Sequence, residues 1–145
     1  MGKKKETYEP VQQSVHVDCS PGEAFRLFTE RFAGWWPLSS CSVAGENSEH
    51  CAIEPWLGGK VFERTRSGQE LDWGSVVAWE PPRRLEFTWQ PGTTPDVNQT
   101  MTVDFRPERD GTRVTLTRRG WHCAPLVACS SRFAQFVSEQ MLVAA

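Results

Sequence analysis

Leu71-Asp72-Trp73-Gly74-Ser75-Val76-Val77-Ala78-Trp79, then Glu80-Pro81-Pro82-Arg83, then Arg84-Leu85-Glu86-Phe87-Thr88-Trp89-Gln90 is the stretch that decides the fold. Two runs rich in aromatic and β-branched residues flank a proline pair, which reads as strand, turn, strand. Alternation places Trp73, Ser75, Val77 and Trp79, then Leu85, Phe87 and Trp89, on one face, with Glu86 and Thr88 on the other. The pattern continues downstream. Gln99 to Arg106 sets Met101, Val103 and Phe105 against Thr102, Asp104 and Arg106, and Thr112 to Arg119 sets Val114 and Leu116 against Thr115 and Thr117. Upstream, Cys51 to Glu54 and Lys60 to Thr65 also fit strands, and Gly58-Gly59, Ser67-Gly68, Pro91-Gly92 and Asp110-Gly111 supply the turns. The result is a meander with one wet face.

The ends of the chain supply what covers the other face. Val11, Gln13, Val15 and Val17 alternate with polar residues in a first strand ending near Cys19. Ser20-Pro21-Gly22-Glu23 then offers an N-cap serine, a proline at the first helical position and a glutamate three residues after the cap. Ala24, Phe25, Leu27, Phe28 and Phe32 share one face of the helix that follows, which is expected to end near Gly34. From Trp35 to His50 no period is sustained, so a long loop with a short helical turn is expected there. At the other end, Phe133, Phe136, Val137, Gln140, Met141 and Ala144 recur at helical spacing within Ser130 to Ala144. The fold class is α+β: a curved antiparallel sheet of about seven strands wrapped on a C-terminal helix, with a short helix after strand one.

Composition narrows the partners. The 16 basic and 18 acidic residues among 145 leave a net charge of -2, so no nucleic-acid partner is expected. No apolar run is long enough for a signal peptide or a membrane span. Residues 1–8, with Lys3, Lys4 and Lys5, read as a flexible tail, and 9–145 as one domain. Five cysteines, an odd count without a secretory signal, point to reduced thiols and a cytoplasmic setting. The seven tryptophans exceed what a minimal sheet core needs. That surplus points to a lined pocket.

The order of elements resembles the helix-grip fold of the START and birch-pollen-allergen superfamily (SRPBCC). Local wording narrows the resemblance: Phe28-Thr29-Glu30-Arg31-Phe32 before Trp35-Trp36-Pro37-Leu38; Ile53-Glu54-Pro55 with Gly58-Gly59-Lys60-Val61-Phe62-Glu63-Arg64-Thr65; Trp73-Gly74-Ser75-Val76; Trp79-Glu80-Pro81-Pro82; Asp110-Gly111-Thr112-Arg113-Val114; and Arg119-Gly120-Trp121. This ordered series is similar to the bacterial branch of the family named for activator of heat-shock-protein-90 ATPase homologues. Two departures stand out. The stretch Ala124 to Ser131 is short and the last helix lacks the family's Gly-Trp pair, and Ser39-Ser40-Cys41-Ser42-Val43 replaces a string that carries a histidine in relatives. The resemblance implies a cavity between sheet and terminal helix that holds a hydrophobic small molecule. It leaves open a cavity-based enzyme of the cyclase or hydratase type, and a co-chaperone-like module that docks a chaperone. A monomer or homodimer is expected, with no cofactor.

The candidate pocket residues are Trp35, Trp36, Glu63, Trp73, Phe87, Trp89, Met101 and Trp121. The rings would line a cavity with indole N–H groups orienting a polar end, or would simply fill the core. Glu63 and Arg64, with Glu70 and Asp72, are charged candidates at the pocket mouth. A buried carboxylate there would serve as acid, base or ligand acceptor; the alternative is a set of exposed cross-strand ion pairs. His50-Cys51, His122-Cys123, Cys41 and Cys129 lack the local spacing of a zinc site, and nothing in the sequence orients a Cys-His pair for catalysis, so no metal is expected.

Overall fold

A computed structural model describes residues 11–38, 42–88, 100–119 and 126–144. Trp89 and Trp121, the tail at 1–8, Cys41, His122 and Cys123 lie outside the described residues. Seven antiparallel strands form one sheet in the order β1-β7-β6-β5-β4-β3-β2. They are β1 (Val11–Val17), β2 (Ser48–Ile53), β3 (Lys60–Thr65), β4 (Glu70–Glu80), β5 (Arg84–Thr88), β6 (Thr100–Glu108) and β7 (Gly111–Arg119). Three helices, α1 (Pro21–Glu30), α2 (Phe32–Trp35) and α3 (Leu126–Ala144), complete the α+β helix-grip arrangement.

Capping decides where α1 begins. Ser20 accepts from the Glu23 amide at 3.2 Å and Pro21 opens the helix, as the sequence predicts. The expected single helix to Gly34 is instead broken at Arg31, and a separate four-residue turn, α2, follows. The break re-aims Phe32, Trp35 and Trp36 into the core and brings Gly34 against α3. A Cβ at Gly34 would sit 2.7 Å from the Phe136 ring, so the helices meet closely because this position has no side chain. α3 begins at Leu126 rather than Ser130 and runs for 19 residues, so the short connection before it does not truncate the helix. It packs against β1, β7, α1 and α2, with Cys129, Phe133, Phe136 and Val137 buried.

β4 departs from simple alternation. Val61 pairs with Gly74 but Phe62 pairs with Asp72, leaving Trp73 as an extra residue, and Val76 pairs with Phe87 while Ala78 pairs with Glu86, leaving Val77 as another. Each bulge shifts the side-chain phase by one residue. Trp73 and Val76 are therefore both buried, and Trp79 returns to the inner side against Phe25. Val77, expected inward, is 46% exposed. Alternation alone has no means of signalling two bulges four residues apart.

At the far edge of the sheet, His16 ties β1 to the β6–β7 hairpin. Its Nδ1 lies 2.5 Å from Glu108 Oε2 and its Nε2 lies 3.0 Å from Asp18 Oδ1, while Arg113 donates to Glu108 at 3.0 Å. Carboxylates that only accept on both sides favour the ring with both nitrogens protonated. The Glu108 hydrogen bond, with Asp18 adding to it, raises the His16 pKa above 6.5. A raised folded-state pKa stabilises the fold fully below 6.5 and loses that contribution as pH rises through the folded value. Urea midpoints of the wild type should fall across that alkaline window. In His16→Gln they should stay level there.

Candidate functional site

The inner face of the sheet carries a wall of rings. Trp35 and Trp36 leave the end of α2, Trp73 comes from the first β4 bulge, Phe87 from β5, and Met101 stands opposite Phe87 in register on β6. With Glu63 of β3, all are at most 1% exposed. The structure thus gathers six of the eight candidates on the helix-covered side of the sheet. Phe32, which the sequence marks only as a helix-face residue, is the hub. Its ring centroid lies 5.0 Å from Trp36, 5.4 Å from Trp35, 6.4 Å from Trp73 and 6.5 Å from Phe87. Trp36 and Trp73 stand 5.8 Å apart. Tilted and edge-on contacts of this kind add ~0.5–1.5 kcal/mol per pair beyond area burial.

Glu63 is the polar point of this wall. It is wholly buried, and three N–H groups converge on it: Val43 N–H on Oε1 at 2.6 Å, Ala44 N–H on Oε2 at 2.9 Å and the Trp73 indole N–H on Oε1 at 2.5 Å. The first β4 bulge is what turns the indole toward the carboxylate. An exposed ion pair is therefore the wrong description of Glu63, although it is the right one for Arg64 and Glu70, which meet at 3.2 Å on the solvent side. Sequence reasoning missed the two backbone donors because amides of Val43 and Ala44 leave no mark in side-chain type. Cys51 lies across from Glu63 in register, and burial, with the Glu63 charge adding to it, pushes its thiol up to about 12. Burial likewise lifts Cys19 and Cys129 to about 11. These thiols are poor nucleophiles.

Among the described residues, no group of His, Cys, Asp and Glu is placed to hold a metal ion, and no helix is long and apolar enough to cross a membrane. Among the described residues, three surface hollows border the site. One of about 170 Å³ lies between α2 and α3 beside Trp35, where Arg132 Nε donates to the Trp35 carbonyl at 2.8 Å. The others, about 410 and 420 Å³, lie against Val43 and Ala44. None of the three is lined by Trp36, Glu63, Trp73, Phe87 or Met101.

Comparison with known proteins places this geometry. No curated protein matches the sequence. Among solved structures, a protein from Mesorhizobium loti superposes with TM-score 0.66 at 18% identity, over 90% of this chain and 98% of that one. The Aha1 dimer from Colwellia psychrerythraea gives TM-score 0.58 at 13% identity, over 91% and 92%. The anthrahydroquino-γ-pyrone synthase Txn09, complexed with SUM, gives TM-score 0.54 at 29% identity, over 94% and 86%. The model of the family described as Activator of Hsp90 ATPase homolog 1-like protein matches residues 18–141, and the chain with its helix-grip sheet and ring-lined inner face belongs to that family.

Proposed function

We propose that this protein binds a hydrophobic small molecule between the inner face of the sheet and the helices, with Trp35, Trp36, Trp73, Phe87 and Met101 as the wall and Glu63 as its polar point. Trp89 and Trp121 belong to the same proposal. The observation that carries it is the concentration of rings on one side of the sheet around Phe32, with a buried carboxylate set among them. Such a wall offers flat apolar contact and one orienting acceptor, the composition of a small-molecule site. The likeness to the anthrahydroquino-γ-pyrone synthase Txn09, at 29% identity, supports this reading. Reduced thiols at Cys19, Cys51 and Cys129 suit a cytoplasmic setting.

A thermal-shift panel of steroids, flavonoids, fatty acids and the dye ANS tests the proposal, because a ligand selective for the folded state raises its melting temperature. Flat aromatic compounds should raise it in a concentration-dependent way and quench tryptophan emission. A panel in which no apolar compound does either would remove the proposal.

A further inference from the structure

Ser42 to Ala44 passes over Glu63 at the polar end of the ring wall. Its inner side consists of the two amides that bond Glu63. Its outer side faces water, for Val43 is 44% exposed above a carboxylate that is 0% exposed. Neither Val43 nor Ala44 belongs to a helix or strand, and among the described residues the local braces are the Gly45 amide donating to Ser42 Oγ at 3.0 Å and the Asn47 amide donating to the Ala44 carbonyl at 3.0 Å. A hollow opens against each residue. The one against Val43, about 410 Å³, is also lined by Lys60 and Asp72, and the one against Ala44, about 420 Å³, by Asn47 and Gln69. Leu71 lines both, and in register it faces Glu63. The segment is therefore a strap with space to either side, not a wedge in a packed core.

Resting on the small-molecule reading above, we infer that Ser42 to Ala44 is a displaceable strap whose two amides hold the place of a hydrogen-bond donor on the guest, so that the site selects aromatic molecules bearing a hydroxyl donor at one end. The chemistry follows from the acceptors. Both oxygens of Glu63 receive N–H donors, so whatever replaces the strap must also donate. A phenolic or enolic hydroxyl does so. An ether or a plain hydrocarbon does not, and it would leave a buried carboxylate without the partners it loses. The Trp73 indole stays in place during the exchange and keeps Oε1 aimed at the vacated position. The strap amides, once lifted, pass to water on the exposed side.

The test uses the full chain with β-naphthol and its methyl ether, two flat aromatics that differ by one donor. Fluorescence titration should show β-naphthol binding roughly tenfold or more tightly, because a site built around a hydrogen bond rejects the analogue that lacks it. Amide hydrogen exchange at Val43 and Ala44 should quicken in the naphthol complex, while β6 and β7 amides keep their protection. Ser42→Ala, which removes the side-chain brace and leaves the Asn47 to Ala44 backbone bond and the carboxylate untouched, should tighten naphthol binding. Equal affinity for the two compounds, or binding that leaves both strap amides protected, overturns the strap inference and leaves the small-molecule reading standing. If neither compound binds, the small-molecule reading fails and this inference goes with it.

Discussion

Gly74→Ala should lose ~3–5 kcal/mol of stability, read as a large fall in the urea midpoint. A Cβ at this position would lie 2.0 Å from the Thr88 carbonyl oxygen and 2.6 Å from its carbon. These are backbone atoms of the neighbouring strand, so no side-chain rotation relieves the clash. The closeness arises from the first β4 bulge, which sets Gly74 beside the end of β5, where the Ser75 amide donates to Thr88 Oγ1 at 2.9 Å. Moving Thr88 away would also disturb Phe87, one residue earlier on the inner wall. Gly22→Ala is the matched control. Its Cβ would meet nothing within 4 Å, and alanine favours the helix. That variant should be neutral or slightly more stable.

Glu63→Ala should cost ~3 kcal/mol or more, because it removes the shared acceptor of two backbone amides and leaves the buried Trp73 indole N–H without its carboxylate partner. Glu63→Gln is the sharper comparison. The amide keeps the shape and one oxygen, and its best orientation gives that oxygen to Val43 and Trp73. Its NH2 group then faces the Ala44 N–H, donor against donor. The expected loss is smaller, ~1–2 kcal/mol. Chemical denaturation ranks the three proteins, and the Trp73 indole resonance reports whether its bond survives. If Glu63→Ala is as stable as the wild type, the carboxylate is not holding the strap.

Much of this arrangement is legible in the sequence because it rests on period and punctuation. Lys60 to Thr65 coincides with β3 at both ends, and the Ser20-Pro21 cap lies where the helix begins. What was hidden depends on geometry between elements. The bulges at Trp73 and Val77 arise from pairing of β4 with two different neighbours, and a single strand's alternation carries no record of its partners. The break at Arg31 is hidden for a related reason, since Phe32 fits the helical face of α1 and still serves the ring wall from α2. In the site, the tryptophans announced themselves by number and position. The donors on Glu63 did not, because any residue pair at 43 and 44 offers the same amides.

The chain has three methionines, Met1, Met101 and Met141, and Met101 lies in the inner wall at 0% exposure. Methyl-labelled methionine therefore gives a spectrum of very few signals in which one belongs to the proposed site. Titration with β-naphthol should displace the Met101 methyl resonance through the ring current of the bound aromatic and give direct contacts between the two. A Met101 resonance that does not move at saturating naphthol would contradict binding at the inner wall.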